Sequence, residues 1–161
     1  MPTSAIDIRE ITVDQARVVR DTVLRPNFAP GGSIYPHDDD PDTLHVGAFV
    51  DGVLAAVATV CREPMPGEFD GNSWRLRGMA TLLPFRSRGL SKKLAQECFE
   101  HVVRNCGALI WCTARASSVS FYSMLGFSEE GQLFRLPEYS DAEYILMRRP
   151  LRAAMGGLGY F

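Results

Sequence analysis

Apolar residues recur at two spacings along this chain, every second position in some stretches and every third or fourth in others. The switches between them predict an alternation of strands and helices. Ile6, Ile8 and Ile11 give a short, partly alternating strand. Thr12-Val13-Asp14-Gln15 then reads as a capping box, in which the Thr12 hydroxyl accepts from the amide near Gln15 and the Gln15 side chain reaches back. Ala16, Val19 and Val23 follow at helical spacing, and Pro26 stops the helix. Residues 26–43 are polar and turn-rich. Asp38, Asp39, Asp40 and Asp42 within them read as a solvated loop, because no EF-hand spacing surrounds them. A weaker functional option is that they attract a cationic acceptor.

Asp51-Gly52, between the β-rich runs 45–50 and 53–61, is a strong hairpin signal. Residues 63–72 form a second loop, rich in Pro and Gly, and 74–83 read as a strand. Residues 88–106 carry one helical stripe of Leu90, Leu94, Cys98 and Val102, with Ala95, Phe99 and Val103 beside it. Gly107 suits a left-handed C-cap of that helix. An apolar strand over 108–113, a short helix over 117–125 closed by Gly126, and strands over 127–136 and 143–149 complete the pattern. Residues 151–161, with three glycines, read as a loosely held tail.

The resulting order, β-α-loop-β-β-β-α-β-α-β-β, is mixed α/β, with a hairpin-built antiparallel part and a βαβ part. Strand 74–83, the helix after it and strand 108–113 form one right-handed crossover with parallel strands. Strand 143–149 is expected at a sheet edge, where it would support a homodimer. Residues 1–161 read as a single domain without repeat or linker.

Composition narrows the class. With 46% hydrophobic and 22% charged residues the chain is globular, and 161 residues bury a core without disulfide or metal staples. Lys+Arg number 17 against 19 Asp+Glu, so net charge supplies no attraction to nucleic acid or to an anionic membrane. The first ten residues lack a signal-peptide pattern, and the apolar run 46–60 is broken by Asp51-Gly52, which leads to the expectation of a soluble cytoplasmic protein. Cys61, Cys98, Cys106 and Cys112 lack zinc-ligand spacing and read as small hydrophobes in a reducing compartment. No metal is expected.

Chemistry concentrates where strand 74–83 gives way to the next helix, through Arg86-Ser87-Arg88-Gly89-Leu90-Ser91. The first amides of a helix have no intrahelical acceptor, and the macrodipole adds partial positive charge there. Gly89 removes a Cβ, Ser91 is small, and Arg86 and Arg88 add fork-shaped donors, so the segment can hold a phosphate. The same residues also read as an ordinary turn with two solvated arginines. They match neither the dinucleotide fingerprint nor the P-loop.

Arg86-Ser87-Arg88-Gly89-Leu90-Ser91 resembles the Arg/Gln-x-x-Gly-x-Gly/Ala motif of the GNAT superfamily of N-acetyltransferases, with Ser91 standing where Gly or Ala is usual. Phe121-Tyr122-Ser123-Met124-Leu125-Gly126-Phe127 is similar to that family's Phe-Tyr-x-x-x-Gly-Phe signature. The resemblance extends more loosely over residues 6–151, where it looks like small bacterial members. It implies the GNAT fold: a mostly antiparallel twisted sheet with a splayed parallel strand pair, flanked by helices. It implies transfer of an acetyl group from acetyl-CoA to an amine, on a small molecule or a protein. The main chain of Met79, Ala80 and Thr81 would then pair with the pantetheine arm and supply the oxyanion donor. Amides around Arg88, Gly89, Leu90 and Ser91 would hold the pyrophosphate, with Arg86 and Ser87 at the rim. Tyr122 would act as general acid to the departing thiolate, or else pack as a core aromatic. Phe121 would pack or touch pantetheine.

Arg115 could meet coenzyme phosphate, an acidic group of the acceptor or a surface partner. Strand 74–83 carries no carboxylate, so the base stays open among Glu63, Glu68, His45 and a water chain. A non-catalytic acyl-CoA-binding module is the alternative on the same fold.

Overall fold

The computed structural model of the chain describes residues 4–24, 33–68, 71–137 and 141–151. Its strands are β1 (Ile6–Glu10), β2 (Leu44–Val50), β3 (Val53–Arg62), β4 (Ser73–Thr81), β5 (Leu109–Arg115), β6 (Ser128–Arg135) and β7 (Glu143–Pro150). Helices α1 (Val13–Leu24), α2 (Leu90–Arg104) and α3 (Val119–Met124) fall between them in the order the sequence predicts. The strands form one mixed sheet in the order β1-β2-β3-β4-β5-β7-β6. The Pro26 helix stop, the loop residues before Ser33 and the tail beyond Leu151 lie outside the described residues.

The described residues fall into two compact units, Met1–Arg62 with Leu76–His101 and Glu63–Arg75 with Val102–Phe161. In the first, the capping box forms as expected. The Gln15 amide donates to Thr12 Oγ1 at 3.1 Å, and the Thr12 amide donates to Gln15 Oε1 at 2.9 Å. The β2–β3 hairpin turns at Asp51 and Gly52, whose φ values of 49° and 85° are those of a turn twisted to match its strands. Ile11, Ala16, Val19, Phe49, Val57 and Ala80 pack as one cluster, so α1 lies on the sheet by its apolar stripe.

In the second unit, β4 and β5 pair in parallel through Ser73↔Leu109, Trp74↔Ile110 and Arg75↔Trp111. β7 is antiparallel both to β5 and to β6. This corrects the expectation for strand 143–149: it lies inside the sheet, because the chain returns from β6 into the place beside β5 and leaves β6 at the edge. A homodimer built on a free 143–149 edge is thereby removed.

The end of α2 differs from expectation in an instructive way. The left-handed residue is Cys106, at φ 61°, and not Gly107. The Gly107 amide donates to Val102 O at 2.8 Å and the Cys106 amide to Val103 O at 3.0 Å, the paired bonds of a Schellman cap. Gly107 is required one position later for space. A Cβ there would stand 2.5 Å from Val102 Cγ1 and 2.6 Å from Trp74 Cδ1. Gly107→Ala is therefore expected to lower unfolding free energy by about 1–3 kcal/mol, as overpacking does. Urea denaturation measures this, and an unchanged midpoint would show that the indole yields without strain.

Candidate functional site

The predicted phosphate-binding segment lies entirely in the first unit. β4 ends at Thr81 and a 3-10 turn over Leu83–Phe85 redirects the chain, with Pro84 in its first turn. Ser87 and Gly89 then take φ values of 64° and 76° on either side of Arg88. Left-handed residues in such a turn swing backbone amides into a concave nest suited to anions. Gly89 caps α2, and its carbonyl accepts from the Lys93 amide at 3.3 Å. Among the described residues, the chain provides no acceptor for the amides of Leu90, Ser91 and Lys92. A Cβ on Gly89 would meet nothing within 4 Å, so the space on that side of Gly89 is open.

Side chains tie the cradle to the strand before it. Ser91 Oγ lies 3.3 Å from Thr81 Oγ1, and Arg86 Nε donates to the Thr81 carbonyl at 3.3 Å. Arg88 folds over the Phe85 ring at 5.4 Å. Arg86, Ser87, Arg88 and Gly89 are exposed, Leu90 is buried, and Met79 and Thr81 are half-buried about a buried Ala80. Sequence reasoning therefore gathered residues that the fold also gathers: Met79, Ala80 and Thr81 on β4, and Arg86 to Ser91 at the head of α2.

Arg115, Phe121 and Tyr122 belong to the second unit. Arg115 ends β5, exposed, ahead of a 3-10 turn. Tyr122 is fixed by the way α3 ends. The Phe127 amide donates to Tyr122 O at 3.1 Å and the Gly126 amide to Ser123 O at 3.0 Å, a second Schellman cap, with Gly126 left-handed at φ 92°. The apolar contact that accompanies such caps is Tyr122 against Phe127, ring centroids 5.6 Å apart, with Phe121 edge-on at 5.1 Å. The Phe-Tyr-x-x-x-Gly-Phe spacing is thus the spacing of a helix cap, with Tyr122 three residues before the cap residue and Phe127 after the glycine. Burial pushes the Tyr122 phenol well above its ordinary range, and the neighbouring Cys112 adds to this, so the hydroxyl stays protonated at neutral pH. Burial also pushes the Cys112 thiol up to about 12, which leaves it unreactive.

The candidate bases are committed elsewhere. Glu63 pairs with Arg75 at 3.0 Å, and Glu68 with Arg148 at 3.6 Å. His45 is buried, with Nε2 2.9 Å from Asp38 O and Nδ1 2.8 Å from Thr59 Oγ1. A carbonyl can only accept, so Nε2 carries the hydrogen and Nδ1 receives the Thr59 hydroxyl. The imidazole lone pair is consumed inside the protein.

This network was the part that sequence reasoning missed. Asp38, expected in a solvated loop, is buried against Arg20 of α1. Arg20 Nη1 donates to Asp38 Oδ2 at 2.8 Å and to Ser33 O at 3.1 Å. Its Nη2 donates to Asp38 Oδ1 at 3.0 Å and Thr59 Oγ1 at 2.6 Å. Burial raises the Asp38 carboxyl, but Arg20 and the Tyr35 amide overcome it and hold the group below its usual range. The available signal was Arg20 itself, one helical turn after Ala16 on the stripe that faces the sheet.

The comparisons with known proteins make the chain an acyltransferase. The model of the acetyltransferase (GNAT) family matches residues 7–127, and the chain belongs to that family. An uncharacterized N-acetyltransferase of Bacillus subtilis strain 168, YitI, is 29% identical over 150 residues, which span 92% of this chain and 99% of its own. FeeM, an N-acyl amino acid synthase from uncultured soil microbes, shares the fold with a TM-score of 0.75 at 16% identity over 92% of each chain. An aminoglycoside 6′-N-acetyltransferase in complex with coenzyme A gives a TM-score of 0.71 at 12% identity over 91% of this chain and 97% of its own. Among the described residues no helix is long and apolar enough to cross a membrane, and no cluster of three His, Cys, Asp or Glu side chains is placed to hold a metal.

Burial lowers the His45 pKa from 6.5, with the hydrogen bond to Asp38 O opposing it and the Arg20 charge adding to it. The unfolded chain then binds a proton more readily than the folded one. Stability should be full above about pH 6.5 and fall as pH drops below it towards the folded value. Urea midpoints between roughly pH 8 and pH 5 check this, with His45→Gln expected to lack that part of the slope. A wild-type midpoint constant over that range contradicts the buried neutral imidazole.

Proposed function

We propose that the protein transfers an acetyl group from acetyl-CoA to a primary amine by direct attack within a ternary complex. One observation carries this reading: among the described residues the α2 amides at Leu90, Ser91 and Lys92 have no acceptor from the chain, and a Cβ on Gly89 beside them would meet nothing within 4 Å. A diphosphate fits such a nest, accepting from several fixed donors at once. Arg86, Ser87 and Arg88 stand at its rim, with Arg115 as a further candidate for phosphate or for an acidic group of the acceptor.

The main chain of Met79, Ala80 and Thr81 would receive the pantetheine arm as an added strand does, donating and accepting without polar side chains. A β4 amide would also stabilise the oxyanion that develops on the thioester carbonyl. Tyr122, kept protonated, would hand its proton to the departing thiolate, while Phe121 packs beside it or touches pantetheine. Because His45, Glu63 and Glu68 are engaged, the amine would lose its proton to water.

Two variants test the halves separately. Gly89→Glu sets bulk and negative charge at the nest and a side chain at φ 76°, and is expected to weaken coenzyme A binding at least about tenfold by calorimetry. Unchanged affinity would put the diphosphate elsewhere. Tyr122→Phe should lower thiol release from acetyl-CoA about 100-fold over a panel of amines while coenzyme affinity holds. Equal turnover in mutant and wild type removes Tyr122 from the mechanism, and absence of thiol release by the wild type favours a binding module.

A further inference from the structure

Gly78 interrupts the extended geometry of β4 with φ at 66°. A left-handed glycine inside a strand marks a bulge or kink, which costs pairing and has to be imposed by what surrounds it. Two groups crowd this glycine. A Cβ at Gly78 would stand 2.8 Å from Arg20 Nε and 3.1 Å from Tyr35 Cε2. Neither group is free to withdraw. Arg20 is fully buried, and four of its N–H groups are bonded to Asp38, Ser33 and Thr59. The Nε group has no acceptor among the described residues, so it is pressed against β4 by the bonds of the rest of the guanidinium. Tyr35 lies between Arg20 and Arg77, with ring-to-Cζ distances of 4.2 and 3.9 Å, and its amide donates to Asp38 Oδ2 at 3.0 Å.

We infer that Arg20 is a positioning residue for acyl transfer: its guanidinium, locked by Asp38 and Thr59, is the wedge that sets the β4 kink at Gly78. This rests on the reading that the main chain just beyond Gly78 holds the thioester arm. A hydrogen-bond donor to a developing oxyanion works only where it is pre-aimed, and a displacement of about 1 Å costs up to about 100-fold. The wedge acts through shape. Asp38 neutralises the Arg20 charge within 3.0 Å, so little field from it reaches the strand. Lysine keeps the charge and loses the planar fork, and is not expected to substitute.

The test is the infrared stretch of acetyl-CoA labelled at its carbonyl carbon and bound to the full chain, because a hydrogen bond to that carbonyl lowers its frequency. Wild type should show the lowered frequency. Arg20→Lys and Asp38→Asn should return it to the value in free solution, while coenzyme A affinity stays within about threefold. A lowered frequency retained in either folded variant overturns the inference, and so does an unshifted carbonyl in wild type. If Arg20→Lys does not fold, Asp38→Asn and Gly78→Ala decide the matter by the same readout. Wild type that binds no acetyl-CoA overturns the acyl-CoA reading itself and this inference with it, an outcome distinct from binding without a shift.

Discussion

A guanidinium taken fully out of water must have its hydrogen bonds made by the protein, and this requirement at Arg20 organises the first unit. The ion pair with Asp38 is not in itself a source of stability, since desolvation offsets much of its attraction. Its asymmetry matters more. Removing one partner from such a pair costs about 3–5 kcal/mol, because the other charge is left buried alone. The loop carrying Ser33, Tyr35 and Asp38 is therefore bound to α1, and Thr59 of β3 and His45 of β2 are drawn into the same proton order. One buried guanidinium thus ties together α1, the loop before β2, β2 and β3.

The same economy of backbone appears where the chain turns. Cys106, Ser87, Gly89 and Gly126 all take left-handed φ, and each lies at a helix end. At the start of α2 the amides of Leu90, Ser91 and Lys92 have no acceptor among the described residues, which suits an anion. At the ends of α2 and α3 the left-handed turn closes carbonyls into Schellman caps. The cap on α3 also holds Tyr122 against Phe127, so the residue proposed to donate a proton is oriented by the turn that ends its own short helix.

The electrostatics fit a site where protons move through few groups. Burial keeps the Tyr122 hydroxyl protonated and the Cys112 thiol inert. Glu63 is pinned twice, by its carboxylate to Arg75 and by its carbonyl to the Trp111 indole at 2.9 Å, so it serves the second unit's structure.

Local periodicity determined the elements, because each is formed by neighbours in the chain. The capping box at Thr12 and Gln15, the Asp51-Gly52 hairpin, the α2 stripe and the parallel crossover were all legible, and so was the strand-turn-helix order over residues 79–91, which is contiguous in the chain. What escaped was whatever depended on partners distant in sequence. Gly107 is required by the space that Trp74 and Val102 leave, while the left-handed position falls one residue earlier, at Cys106. Strand 143–149 lies inside the sheet because β6 takes the edge, and Asp38 left its run of aspartates for a buried arginine eighteen residues earlier. A run of aspartates has the same local pattern in solvent or in a core, and only the contact made by folding decides between them.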